Sequence, residues 1–166
     1  LFNGQLGIHH REAGVAGFGL LKEDVNVELI VDGFHIVPPM VKFAYKTKGA
    51  DGIVLITDSM RAKGIPEGES ELGGQKVFVK DKQARLKNGS LAGSVLTFND
   101  AFKNMIRFSG CSIEEAVKMS SVNQAKEFNL EEKGLLKTGK DADILVLNDE
   151  LTVEQTILGG NVHEFK

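Results

Sequence analysis

Apolar positions along the chain form two runs short enough to be strands and several stretches at helical spacing. Val27-Glu28-Leu29-Ile30-Val31 is the first run, closed by Asp32-Gly33, and Gly52-Ile53-Val54-Leu55-Ile56-Thr57-Asp58 is the second. Apolar runs of this length, bounded by turn residues, predict buried strands. Between them stand Pro38 and Pro39, suited to the first turn of a helix, where a missing N–H leaves no bond unmade. Val37, Met40, Val41, Ala44 and Tyr45 then recur at helical spacing until Gly49 ends the helix. Strand, helix and strand, with strands apolar on both faces, predict a parallel sheet.

Residues 61–90 break that pattern. Gly64, Gly68, Gly73-Gly74 and Gly89 punctuate short alternating stretches such as Lys76-Val77-Phe78-Val79-Lys80, which predicts a hairpin-rich excursion. Helical spacing resumes at about Thr97, with Phe98, Ala101, Phe102, Met105 and Ile106 on one apolar face and Gly110 at the end. Ser112-Ile113-Glu114-Glu115 has the spacing of a capping box, and Ser121-Val122-Asn123-Gln124 is a second, weaker one. After Gly134 the texture changes again. Ala142 to Asn148 and Val153 to Phe165, bent at Gly159-Gly160, predict strands, so a domain boundary is expected near residue 134.

Composition narrows the function classes. The 166 residues suffice for one well-packed domain, and 42% apolar with 26% charged residues is ordinary for a globular protein. A net charge of −3 without a basic stripe argues against nucleic acid, whose phosphates need clustered Lys and Arg. Cys111 is the single cysteine, so nothing requires an oxidising compartment. No apolar run approaches the ~20 residues that span a bilayer. The chain opens on Leu1-Phe2-Asn3 with neither an initiator Met nor a signal-peptide layout, and is expected to be a piece of something longer.

Two strands ending in Asp direct attention to one end of the sheet, where catalytic groups of parallel α/β folds gather. Asp58 there could serve as a general base or as one ligand of a divalent ion. A blander role is available, since Asp often caps the helix that follows; on spacing alone that role is favoured for Asp32 and Asp58. His35 follows Asp32 by three residues. His9-His10-Arg11-Glu12 has the composition of a solvated loop, and adjacent histidines make a poor two-ligand metal site. Arg11 is a possible anion clamp, because a guanidinium offers phosphate a fork of hydrogen bonds. Leu91-Ala92-Gly93-Ser94 precedes a helix, where glycine lets backbone amides approach a ligand. His163, in the last expected strand, suits a structural surface position.

With these pieces in order, the chain resembles the N-acetylglucosamine-6-phosphate deacetylase family over nearly its whole length. Leu1-Phe2-Asn3 resembles the end of that family's THLxN segment, and His10-Arg11-Glu12-Ala13-Gly14 its H-R-E-P-G loop. Val31-Asp32-Gly33-Phe34-His35 is similar to its A-D-G-x-H strand end, and Ile56-Thr57-Asp58-Ser59-Met60 to its V-T-D-A-M. Gly89 to Ser94 followed by Leu96-Thr97 resembles its G-x-L-A-G-S-x-L-T, and Gly139-Lys140-Asp141-Ala142-Asp143 a tail shared by amidohydrolases generally. Gly4-Gln5 stands where the family usually has Ala-Met, and Ala13 replaces its usual Pro.

The resemblance implies an α/β fold: residues 1–133 as the C-terminal part of a TIM-like barrel, and residues 134–166 as strands of a small β-sandwich domain. It implies hydrolysis of the N-acetyl group of N-acetylglucosamine 6-phosphate to glucosamine 6-phosphate and acetate, with a divalent ion, zinc or iron. Asp58 would accept a proton from the attacking water and pass it to the leaving amine, and could also touch the ion. The other metal ligands would lie upstream of Leu1, which implies that these residues alone are inactive. His35, Asn3 and Gly4 would contact the sugar phosphate, Arg11 would hold the phosphate, and Leu91, Ala92 and Gly93 would line the pocket. A cytoplasmic homodimer is expected. The competing readings are another amidohydrolase, such as a dihydroorotase or D-amino-acid deacylase, or a non-catalytic sugar-phosphate-binding paralogue.

Overall fold

A computed structural model describes residues 1–164, so Phe165, the end of the expected tail strand, lies outside the described residues. The first element, helix α1 (Gly14–Leu21), is one that the apolar pattern does not announce. Its sequence GVAGFGLL has no polar face to set a period and carries three glycines, which weaken helix propensity. Close packing gives one of them a purpose: a Cβ at Gly19 would lie 3.2 Å from Val27 Cγ1.

Strand β1 (Val27–Ile30), helix α2 (Pro38–Lys48), a 3₁₀ turn (Ala50–Gly52) and strand β2 (Ile53–Ile56) follow. The strands pair in parallel, with Val27 opposite Ile53 and Ile30 opposite Ile56. Leu29, Val31, Ile53 and Leu55 are buried with Val41 and Ala44 of α2 in the main core. On the opposite face Ile30 packs with Leu96 and Ala101. The expected strand–helix–strand unit is therefore present, with Glu28 as its one exposed strand position.

The excursion folds as an antiparallel sheet of β3 (Gly68–Leu72), β4 (Gln75–Lys80) and β5 (Gln83–Leu86). Gly73 and Gly74 supply positive φ at both central turn positions, 57° and 79°, as a two-residue hairpin demands. Asp81 and Lys82 do the same without glycine, at 50° and 60°, and the Asp81 amide donates to Glu67 Oε1 at 2.7 Å. Val77, Val79 and Ala84 face inward onto Met60, Ala62 and Ala92.

Helix α3 (Phe98–Ser109) starts at Thr97, whose Oγ1 accepts from the Asp100 amide, and closes at Gly110 with φ 78°. Ala101, Phe102 and Met105 are buried as the spacing requires, whereas Phe98, the first helical residue, stays 41% exposed. Helix α4 (Ile113–Val117), a π turn (Lys118–Val122) and α5 (Asn123–Glu127) follow one another with helical backbone at each junction. The Ser112 capping box forms with both reciprocal bonds. The second box does not: Ser121 lies inside the π turn, and the backbone at Val122 remains helical. The residues read as its later members turn inward instead. Asn123 Nδ2 donates to Ala50 O (2.8 Å) and Ile53 O (2.7 Å), and Gln124 Nε2 to Met119 O (2.7 Å) and Leu55 O (3.2 Å).

The tail forms a second antiparallel sheet from β6 (Ile144–Leu147), β7 (Val153–Leu158) and β8 (Asn161–Glu164). Leu147 and Leu151 pack against the main core. Asn99 Nδ2 donates to Leu151 O and Lys103 Nζ to Thr152 Oγ1, both at 2.7 Å, which ties the tail to α3.

Candidate active site

Because Ile30 and Ile56 are level partners, the chain leaves both strands at the same end, and Asp32 and Asp58 each stand two residues beyond it. Asp58 is exposed and has φ 46°, a left-handed conformation that Asp and Asn tolerate better than most residues. Immediately after it, Ser59 forms a parallel bridge to Ser94. Met60 N donates to Ser94 O (2.8 Å), Ser59 Oγ to Leu96 O (2.6 Å) and Leu96 N to Ser94 Oγ (2.9 Å). These bonds hold Ser94, the residue after the Leu91–Gly93 segment, against Ser59, the residue after Asp58. Gly93 has φ 82°, and a Cβ there would lie 3.2 Å from Leu72 Cδ2 and 3.4 Å from Met60 Sδ.

This segment departs in one respect from an amide nest at a helix start. Helix α3 begins only at Phe98, and the Ala92 amide already donates to Ala84 O at 2.9 Å. The segment is thus a wall pinned to the hairpin sheet.

Asp32 does not cap α2, whose N-cap is Val37 without a side-chain bond. Its Oδ1 accepts from the amides of Phe34 and His35, both at 2.8 Å, and its Oδ2 lies 2.5 Å from His35 Nδ1. The turn needs positive φ at Gly33, 84°. Both side chains are nearly buried, His35 at 5% and Asp32 at 8% exposure. Burial alone would raise the Asp32 carboxyl, but the His35 bond and the two amides outweigh it and hold it below its ordinary 3.8. The bond to Asp32 raises His35 above 6.5 against the opposing desolvation, aided by the charges of Asp32 and Asp58. Asn104, on α3, donates to Val31 O at 2.9 Å and steadies the strand end from behind.

The signs of these shifts define a pH window. Asp32 contributes stability that is complete above 3.8 and lost as pH falls through its lowered folded value. His35 contributes stability that is complete below 6.5 and lost as pH rises through its raised folded value. Denaturation midpoints of the wild type and Asp32→Asn should therefore differ most between pH 3.8 and 6.5, converge as pH falls below that window, and draw closer without converging as pH rises above it. A gap that stays constant across the titration contradicts the pairing.

The N-terminal residues form a turn in which the Phe2 amide donates to Gln5 Oε1 and the Gln5 amide returns to Phe2 O. Asn3 and Gly4 occupy its exposed middle. Arg11 sits in a tight turn closed by reciprocal His9 and Glu12 backbone bonds of 3.0 and 2.9 Å. Its guanidinium lies 2.8 Å from His10 Nε2 and is exposed. His163 is exposed on β8, as its surface assignment requires.

A cavity of about 630 Å³ opens beside the strand ends, between Asp32 and Phe34 on one side and Asp100, Lys103 and Arg107 of α3 on another. Sequence reasoning did not single out Lys103 or Arg107, which look like ordinary charged positions of an amphipathic helix. Among the described residues no three His, Cys, Asp or Glu side chains gather as a metal cage. The residues present therefore do not by themselves fit a catalytic ion, for which three protein ligands are usual. No helix among the described residues is long and apolar enough to cross a membrane.

A profile of the amidohydrolase family matches residues 20–163, and the chain belongs to that family. Its α/β fold is accordingly the C-terminal part of the barrel fold of amidohydrolases, a family typically dependent on divalent metal. Within it, the chain is 49% identical to an N-acetylglucosamine-6-phosphate deacetylase of Lysinibacillus sphaericus, across 98% of this chain and 42% of that protein. A crystal structure of the Thermotoga maritima N-acetylglucosamine-6-phosphate deacetylase superposes with a TM-score of 0.90 at 48% identity, covering 95% of this chain and 43% of that one. An N-acetylgalactosamine-6-phosphate deacetylase of Escherichia coli O157:H7 is 36% identical over 99% of this chain and 44% of its own length. The chain thus spans well under half of each of these relatives.

Proposed function

We propose that this chain supplies one wall of the active site of an N-acetylglucosamine-6-phosphate deacetylase, a cytoplasmic, homodimeric hydrolase of amino-sugar phosphates. The observation that carries the reading is the grouping at one sheet end: Asp58 on left-handed backbone, His35 of the Asp32–His35 pair within its electrostatic reach, and the bridge from the next residue, Ser59, to Ser94 at the end of the Leu91–Gly93 segment. Residues 1–133 then belong to the barrel and 134–166 to a smaller β-sandwich domain.

In this reaction the water oxygen bonds to the acetyl carbonyl carbon while Asp58 takes the water's proton. As the C–N bond breaks, Asp58 returns that proton to the departing nitrogen, leaving acetate and the free amine. This two-step use of one carboxylate is general base followed by general acid catalysis. By the same reading Asp58 would also be one ligand of a divalent ion, zinc or iron, with the further ligands supplied by the rest of the parent enzyme. His35 and the Asn3-Gly4 turn bind the sugar phosphate, and Leu91, Ala92 and Gly93 line the pocket.

Arg11 is assigned to the phosphate as well. Arg11→Ala in the full-length enzyme should raise KM for N-acetylglucosamine 6-phosphate about tenfold to a hundredfold, the usual worth of a charge-assisted hydrogen bond. Unphosphorylated N-acetylglucosamine should be nearly unaffected. Equal losses on both substrates would place Arg11 in the loop structure or a subunit contact instead. The function itself is tested by comparing kcat/KM on the 6-phosphates of N-acetylglucosamine and N-acetylgalactosamine. Preference for the gluco epimer is expected; preference for the galacto epimer would move the chain to the other group of relatives.

A further inference from the structure

The structure assigns Asp32 a positioning role: its carboxylate fixes the His35 ring with Nδ1–H turned onto Oδ2, so that Nε2–H is the donor presented to an acceptor oxygen of the substrate. This rests on the proposed deacetylase reading for the identity of that substrate, but not for the state of the ring.

The geometry is restrictive. One carboxylate oxygen takes two backbone amides at 2.8 Å, which locks the carboxylate before the histidine is considered. The other oxygen lies 2.5 Å from Nδ1. A carboxylate only accepts, so Nδ1 must carry a proton, and a ring 5% exposed has little room to turn. Nε2 is then the nitrogen left for a ligand. With Nδ1 protonated, Nε2 donates to an anionic oxygen only in the doubly protonated ring, the form that the Asp32 carboxylate against Nδ1 favours. The support extends outward: Asn104 of α3 holds Val31 O, and Gly33, whose Cβ would lie 3.4 Å from Phe108 Cζ, lets the turn sit against that helix. Asp32 touches no reacting atom in this account; it acts through His35.

Asp32→Asn separates the alternatives, because Asn keeps an oxygen for the two amides and replaces Oδ2 with an NH₂ donor. Nδ1 must then become an acceptor, and the ring loses its charge. In the full-length enzyme, ¹⁵N spectra should show Nδ1 of His35 protonated in the wild type, with the second ring proton retained to higher pH than in Asp32→Asn, and Nδ1 deprotonated in Asp32→Asn. KM for N-acetylglucosamine 6-phosphate should rise about tenfold, since charge-assisted bonds are roughly twice as strong as neutral ones, while kcat changes little. In a His35→Gln background the same substitution should add almost nothing, the non-additivity expected when one residue acts through another. Additive losses, or a kcat defect without a KM defect, overturn the positioning role. A wild-type ring with Nδ1 unprotonated overturns it whatever the activity. A doubly protonated ring in an enzyme that does not deacetylate this substrate would instead refute the functional reading alone.

Discussion

Asp58→Asn in the full-length enzyme is expected to reduce turnover by about two to four orders of magnitude, the usual contribution of a positioned general acid–base group, with little change in KM. Asparagine is the informative replacement because of the backbone. At φ 46° most side chains are strained, and Asn is among the few that accept the left-handed region as readily as Asp. The size and turn are therefore kept and the proton acceptor alone is lost. Asp58→Ala would mix a chemical defect with backbone strain that displaces Ser59, whose hydroxyl holds Leu96 O. Near-wild-type turnover by the Asn variant would remove Asp58 from the mechanism.

The largest structural effect is expected at Asn123. It is 4% exposed, and its one Nδ2 group serves two carbonyls, Ala50 O and Ile53 O, at the entry to β2. Asn123→Ala should destabilise the fold by about 2–4 kcal/mol, since each buried acceptor left without a donor costs on the order of 1–3 kcal/mol. Asn123→Asp should be worse at neutral pH, because it aims a carboxylate at two carbonyl oxygens. Denaturant midpoints of the three proteins check the order. Equal stability of the Asp variant and the wild type would show that the two bonds do not hold the strand.

Asn123 also marks where the sequence stopped being legible. Its neighbour Ser121 has the spacing of a capping residue, and spacing cannot reveal that a π turn carries the helix through that point. Elements with a strong burial signal were legible: α2 and α3 bury one face at helical spacing, whereas β1 and β2 are short apolar runs buried on both faces. Helix α1 was not, since a nearly uniform apolar and glycine sequence has no period to read. Turns with glycine were visible, while the Asp81-Lys82 turn was hidden because its positive φ falls on ordinary residues.

The site divides in the same way. Asp58, His35 and the Leu91–Gly93 segment were named from motif resemblance, and the level strand ends bring the first two within electrostatic reach. Spacing favours a capping role for Asp32, because no spacing rule distinguishes a helix cap from a carboxylate that holds a histidine. Arg11 has the chemistry of a phosphate group, and its contact within its own turn is with the neighbouring His10. Lys103 and Arg107 escaped notice because basic residues at helical spacing are usually just a solvated face.

The most direct measurement is a crystal structure of the full-length Asp58→Asn protein with N-acetylglucosamine 6-phosphate bound. The account predicts the acetamide beside residue 58 and the Leu91–Gly93 wall, with the phosphate on His35 Nε2, the Asn3-Gly4 turn and Arg11. A sugar phosphate seated instead in the Lys103–Arg107 cavity, with His35 Nε2 and residue 58 both out of contact, would contradict it.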